Sequence, residues 1–110
     1  MLAPIHDHKT IDRRGLAFAR AIVDKLERTN HIEAGVEKAR AVNLRWRDMG
    51  TSSLHEAWAD ILQQDWSTIK NALLDESQRG DALRQNNPFC GILTHQERWS
   101  IIKEFDSHAS

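Results

Sequence analysis

Apolar residues recur at spacings of three and four along most of the chain, the periodicity of helices that bury one face. The first such segment runs from about residue 10 to 28, with Thr10 or Asp12 as its N-cap. A second covers about residues 32–49. Only Thr29–Asn30 breaks the pattern between them, and this short connection predicts an antiparallel helical hairpin.

The second half of the chain predicts shorter helices that begin at recognisable caps. They cover about residues 53–62, 66–74, 77–85 and 95–105. Their caps are Ser53 with Glu56, Asp65, Asp75, and Thr94 with Glu97, the first and last pairs being capping boxes. No segment alternates apolar and polar residues over a strand length. The fold class predicted is therefore all-α: a compact bundle of five or six short helices in a single domain over residues 1–110.

The two ends of the chain lack an apolar period, and we expect residues 1–9 and 106–110 to be flexible. The first of these segments contains His6-Asp7-His8. Alternate residues of one short segment supply two metal ligands at most, and no companion pair at metal spacing follows. The triplet therefore does not predict a metal site.

The segment from Arg84 to Trp99 predicts a packed corner between two helices. Pro88 disfavours a helical conformation in the residue before it. Apolar side chains within the corner are costly to leave in water, so we expect them to enter the core. These residues are Phe89, Cys90, Ile92 and Leu93. Cys90 is expected to be buried and unreactive, and Trp99 to project into the same interior.

A polar run directly precedes this corner and has two interpretations. The side chains of Arg84, Gln85, Asn86 and Asn87 can cap the preceding helix and brace the loop. Alternatively, they form a polar rim around an apolar anchor, Phe89, where a partner protein binds. The candidate interaction rim is thus Arg84, Gln85, Asn86, Asn87 and Phe89.

Composition and charge narrow the class of protein. A hydrophobic content of 40% and a charged content of 28% are typical of a soluble globular domain. No run is long enough to cross a bilayer, the N-terminus lacks a signal-peptide pattern, and a lone cysteine suits a reducing compartment, so we expect a cytoplasmic protein. Residues 1–50 carry ten cationic and seven anionic side chains (+3), and residues 51–110 carry five and nine (−4). This polarity can orient a partner protein or a second copy of the chain.

Motifs of catalysis are missing from the sequence. It contains no phosphate-binding glycine loop, no zinc-protease helix motif and no nucleophile elbow. We therefore expect a non-enzymatic protein with no catalytic residue, cofactor or metal ion. The alternative function is a small DNA-binding regulator that uses the third and fourth helices as a helix-turn-helix. Its recognition stretch, residues 65–74, offers only Lys70 as a cation, which gives weak support for nucleic acid.

The pattern Leu83-Arg-Gln-x-x-Pro-Phe-Cys-Gly-Ile-Leu-Thr-x-x-Glu-Arg-Trp resembles a segment of small, uncharacterised bacterial helical proteins. Some of these are encoded beside toxin–antitoxin-like genes. The resemblance covers the C-terminal third of the chain. It implies a bacterial, cytoplasmic, non-enzymatic accessory or antitoxin-like protein that acts by binding another protein.

Overall fold

The computed structural model describes residues 8–50 and 52–108, and within them the chain forms six helices and no strand. The helices are α1 (His8–Arg28), α2 (Ile32–Met49), α3 (Ser53–Ile61), α4 (Trp66–Leu74), α5 (Gln78–Gln85) and α6 (His95–His108). The predicted all-α bundle of short helices is confirmed. None of the described helices is both long and apolar enough to cross a membrane.

Helix α1 is the centre of the bundle, and α2, α4, α5 and α6 all pack against it. Its apolar face, including Ile22 and Leu26, is buried. Trp58 of α3 and Phe89 of the corner complete the core with their rings edge to face, 6.2 Å between centroids. The indole N–H of Trp58 donates to the carbonyl oxygen of Leu83 at 2.8 Å, so its polar atom is satisfied inside the core.

The corner before α6 enters the core largely as predicted, with Pro88, Phe89 and Leu93 buried. The prediction that Cys90 is buried is wrong, because its side chain is exposed. The N–H of Ile92 donates to the carbonyl oxygen of Phe89 at 3.1 Å and closes a turn. Cys90 and Gly91 occupy the two central positions of that turn, which face solvent while its ends face the core.

Native Cys90 should therefore react stoichiometrically with a small thiol reagent in the absence of denaturant, because an exposed thiol needs no unfolding to be reached. The measurement counts labelled thiols per chain over time in native and in denatured protein, with Cys90→Ser as the blank. Native protein should reach one labelled thiol per chain as fast as denatured protein does. Labelling that appears only after denaturant is added would contradict the exposed position.

The first helix begins earlier than the sequence predicts. Thr10 and Asp12 lie inside α1 and are not its cap, because the helix already starts at His8. The last two residues of the predicted flexible arm, residues 8–9, are thus the first residues of α1. Residues 1–7, with most of the His6-Asp7-His8 triplet, lie outside the described residues.

Two predicted caps are displaced to a neighbouring serine. The α3 cap is Ser52 and not Ser53, and its hydroxyl accepts the backbone N–H of His55 at 3.2 Å. The α5 cap is Ser77 and not Asp75, whose carboxylate instead accepts the N–H and hydroxyl of Ser77, both at 2.9 Å. At α3 two adjacent serines compete to cap the helix, and at α5 the competing residues, Asp75 and Ser77, are two positions apart. In both cases backbone geometry decides between them.

The capping box of α6 is confirmed and also ties this helix to α1. Thr94 and Glu97 cap each other, with N–H to oxygen distances of 2.7 and 3.1 Å. The ammonium of Lys25 in α1 donates to Glu97 at 2.7 Å and to the carbonyl oxygen of Ile92 at 2.9 Å. The Lys25 side chain and the Thr94 N–H together lower the pKa of Glu97 to about 2. Glu97 therefore stays ionised at a pH where an ordinary glutamate is already protonated, and it fixes the start of α6 on α1.

Helix α6 differs from its prediction in its length and in the face that it buries. It continues to His108, so residues 106–108 of the predicted tail are helical, and Asp106 pairs with Arg14 at 3.2 Å. Residues 109–110 lie outside the described residues. Trp99 is 59% exposed, contrary to the prediction that it enters the core. Ile101 packs against the core instead, and at 100° per residue Trp99 lies about 160° away from it around the helix.

Candidate functional site

Two residues of the predicted rim lie inside the protein. Arg84 is only 7% exposed, and its guanidinium donates to the carbonyl oxygen of Leu73 at 2.9 Å, to that of Asp75, and to the carboxylate of Asp81 at 2.6 Å. It therefore braces the connection between α4 and α5. Phe89 is fully buried. Neither residue offers a surface to a partner in this structure.

The remaining three residues of the predicted rim lie at or near the surface. Asn87 is half-buried, and its side-chain oxygen accepts the N–H of Phe89 at 2.8 Å, which stabilises the corner. Asn86 is also half-buried, and Gln85 is exposed. Gln85 and Asn86 line a cleft of about 370 Å³ that we call the α2 cleft. Its lining residues are Trp46, Met49, Gly50, His55, Gln85 and Asn86.

The α2 cleft lies where three helix ends meet: the last turn of α2, the first turn of α3 and the last turn of α5. Gly50 terminates α2 with φ of +143°, a conformation that residues with a side chain rarely adopt. The buried side chain of Asn43 donates to the carbonyl oxygen of His55 at 3.0 Å and docks α3 on α2. The walls of the cleft are thus held by the backbone conformation at Gly50 and by this part-buried hydrogen bond.

One side of the cleft is aromatic and apolar, whereas the other side is built from amides. The rings of Trp46 and His55 lie against each other with centroids 5.5 Å apart. Met49 is 81% exposed, the largest exposure of a large apolar side chain among the described residues. His55 Nδ1 is buried without a hydrogen-bond partner among those residues. The arrangement can accept an apolar group against Trp46 and Met49 while Gln85 and Asn86 form hydrogen bonds at the edge.

The basic residues of α2 do not form a continuous cationic surface. Lys38 donates to the carbonyl oxygen of Gly91 at 3.3 Å, and Arg40 donates to that of Leu62 at 2.7 Å. These two cations are therefore used to hold neighbouring segments. Arg45 and Arg47 remain exposed beside Trp46. Two exposed arginines on one helix provide little positive charge for binding nucleic acid.

The proposed recognition helix of the DNA-binding alternative, α4, is also poor in free positive charge. Its only cation, Lys70, pairs with Glu27 of α1 at 2.9 Å. The indole N–H of Trp66 donates to the same carboxylate at 2.9 Å, and the hydrogen bonds from Trp66 and Lys70 lower the pKa of Glu27. Asp65 caps the N-terminus of α4 and places an anion where a phosphate would approach.

A second and larger cleft of about 990 Å³ lies between the start of α2 and the start of α4. Its charged walls are largely neutralised within the protein, since Arg40 pairs with Glu37 and hydrogen-bonds to Leu62. Within residues 8–50 and 52–108, no group of three or more His, Cys, Asp or Glu side chains could hold a metal ion. We therefore take the α2 cleft, with its exposed methionine, as the candidate site.

Sequence reasoning found the amide edge of this site and missed its apolar side. Trp46 and Met49 are one helical turn apart just before Gly50, and that spacing at a helix end is the only local signal for them. In comparisons with known proteins, no family model, no curated protein and no solved structure matches this chain.

Proposed function

We propose that this chain is a non-enzymatic, protein-binding module of the accessory or antitoxin-like kind, and that its α2 cleft receives an apolar side chain of the partner protein. The proposal depends on one observation above all: Met49 projects into solvent beside Trp46, next to a cleft edged by Gln85 and Asn86. Apolar anchors surrounded by polar side chains are the usual composition of the centre of a protein interface.

The chemistry of the cleft favours a protein over other ligand classes. A methionine adapts its flexible side chain to different apolar surfaces, which suits contact with another protein. The half-buried Trp46 supplies a rigid aromatic surface of the kind enriched at interface hot spots. The resemblance of the segment from Leu83 to Trp99 to small bacterial helical proteins adds support for a bacterial, cytoplasmic accessory role. Gln85 belongs to both that segment and the cleft.

The test begins with capture of partners by the tagged full chain from a lysate of its source organism, followed by identification and purification of the captured protein. Binding of the purified pair is then measured by calorimetry for wild type and Met49→Asp. We expect Met49→Asp to raise Kd at least ~30-fold, because an interface anchor contributes about 2 kcal/mol or more. Folding should survive, since this side chain is almost fully exposed.

Leu44→Asp is the matched control. Leu44 is 57% exposed on the same helix, but five residues separate it from Met49 and place it about 140° around the axis. We expect its Kd to stay within about threefold of wild type, the range of surface changes outside a hot spot. A loss of binding with Leu44→Asp but not with Met49→Asp would place the site elsewhere. Salt-dependent binding of the purified chain to duplex DNA, with no protein partner, would instead favour the regulator.

A further inference from the structure

Helix α6 carries a stripe with an apolar centre, Trp99 and Ile102, on a different side of the helix from Ile101, which packs against the core. The stripe consists of His95, Trp99, Ile102 and Asp106, at successive spacings of four, three and four residues. Trp99 is 59% exposed and Ile102 is half-buried, and His95 and Asp106 at the two ends are exposed. A spacing of this kind is typical of the seam between two packed helices. Among the helices that the structure describes, α6 packs chiefly on α1, and neither Trp99 nor Ile102 belongs to the side chains packed against the core.

The stripe is complementary to itself when it is reversed. A two-fold axis through the midpoint between Ser100 and Ile101 places Trp99 of one copy opposite Ile102 of the other. The same axis places His95 opposite Asp106 at both ends of the contact, where an imidazole N–H can donate to a carboxylate. We propose that the chain forms a homodimer in which the two α6 helices pack antiparallel through this stripe. A second copy would cover the apolar centre of the stripe and pair with its polar ends, as an isologous two-fold interface requires.

Side chains of α1 extend the stripe at its C-terminal end. Arg14 pairs with Asp106 at 3.2 Å, and its guanidinium lies over the ring of Phe105, 5.7 Å from the centroid. Ile11, one turn before Arg14 in α1, is 47% exposed. Arg14 also orients the carboxylate of Asp106 that would receive His95 of the second copy.

The size of the contact sets the expected affinity. A helix of 14 residues is roughly 21 Å long, so two such helices bury an area at the low end of specific interfaces. We expect a dimer with Kd in the range of about 1–100 µM, as is usual for small interfaces with one large anchor. Because the α2 cleft is built from α2, α3 and α5, dimerisation through α6 leaves it open.

The experiment is sedimentation equilibrium of the full chain from low to high micromolar concentration. Wild type should change from monomer to dimer across this range, and Trp99→Glu should weaken association at least tenfold while leaving the melting temperature of the dilute monomer unchanged. Met49→Asp should dimerise like wild type. A result against the proposed dimer can therefore be distinguished from a result against partner binding at the α2 cleft. A wild-type chain that stays monomeric throughout, or a dimer that Trp99→Glu leaves intact, would overturn the proposal.

The antiparallel register has its own test by cysteine cross-linking in a Cys90→Ser background, which keeps Trp99 and Ile102 in place. His95→Cys and Asp106→Cys are opposite each other across the proposed interface, and oxidation of a mixture of the two variants should give the disulfide-linked heterodimer. Each variant oxidised alone should give little product, because identical positions are about 16 Å apart along antiparallel helices. Efficient cross-linking of His95→Cys to itself would show a parallel arrangement and refute the register.

Discussion

Trp58→Ala should lower the free energy of unfolding by roughly 3–5 kcal/mol, the range for truncating a fully buried aromatic side chain. Trp58 has no exposed surface, its ring meets the edge of Phe89, and its N–H is bonded to Leu83 at 2.8 Å. Alanine would leave a cavity between α3, α5 and the corner. Urea denaturation followed by circular dichroism measures the loss, which is a large part of the stability of a small domain.

Two other substitutions separate the causes of this loss. Trp58→Phe keeps most of the ring but removes one of the two donors to the Leu83 carbonyl oxygen, which still accepts the N–H of Asn86 at 3.0 Å. We expect a loss of about 1 kcal/mol for the missing hydrogen bond, together with the cost of the reduced volume. Trp99→Ala, measured in dilute protein, removes the same atoms from an exposed site and should cost under ~1 kcal/mol. Equal losses at positions 58 and 99 would contradict the burial on which the fold depends.

The helices themselves were predictable because their signals are local. Ile32–Met49 was predicted with both ends correct, since a break at Thr29–Asn30 precedes it and Gly50 follows it. The Thr94 and Glu97 capping box needs only residues three positions apart, and it forms as expected. Where two polar residues stand side by side, as at Ser52 and Ser53, the sequence cannot rank them. The choice depends on the direction from which the chain enters the helix.

Burial was less predictable than helicity because it depends on which neighbour covers a face. The last helix has apolar residues on more than one side, and the ion pair between Lys25 and Glu97 fixes the side that meets α1. Trp99 then faces solvent although it is the largest apolar residue of the helix. Cys90 is exposed for a different reason, since a tight turn places its central residues outward whatever their hydrophobicity.

The candidate site shows the same division between local and long-range information. Gln85 and Asn86 were identified because a polar run beside a corner is visible in the sequence. Trp46 and His55 were not, because their contact requires α3 to fold back on α2 through the bond from Asn43. Three helix ends form the α2 cleft, and no residue spacing within a single helix predicts that these three ends come together.

Gly80→Ala should be among the most harmful conservative substitutions in the chain, with an expected loss of roughly 3 kcal/mol or more from overpacking. A Cβ atom at this position would lie 1.9 Å from the carbonyl oxygen of Asp75 and 2.6 Å from its carbonyl carbon. Both are backbone atoms, so no side chain can rotate to make room. The same carbonyl oxygen accepts a hydrogen bond from buried Arg84, and any shift that relieves the clash would weaken that brace.

Gly15→Ala is the control, because it makes the same chemical change inside a helix where there is space. The nearest atom to a Cβ at Gly15 is the Cβ of Arg84, 3.9 Å away, which is ordinary van der Waals contact. Replacing an interior glycine of α1 by the best helix former should therefore raise the free energy of unfolding by up to about 1 kcal/mol. Thermal melts of the two variants should move in opposite directions from wild type. If Gly80→Ala melts at or above the wild-type temperature, α5 does not approach Asp75 closely, and the brace between α4 and α5 is not built as described.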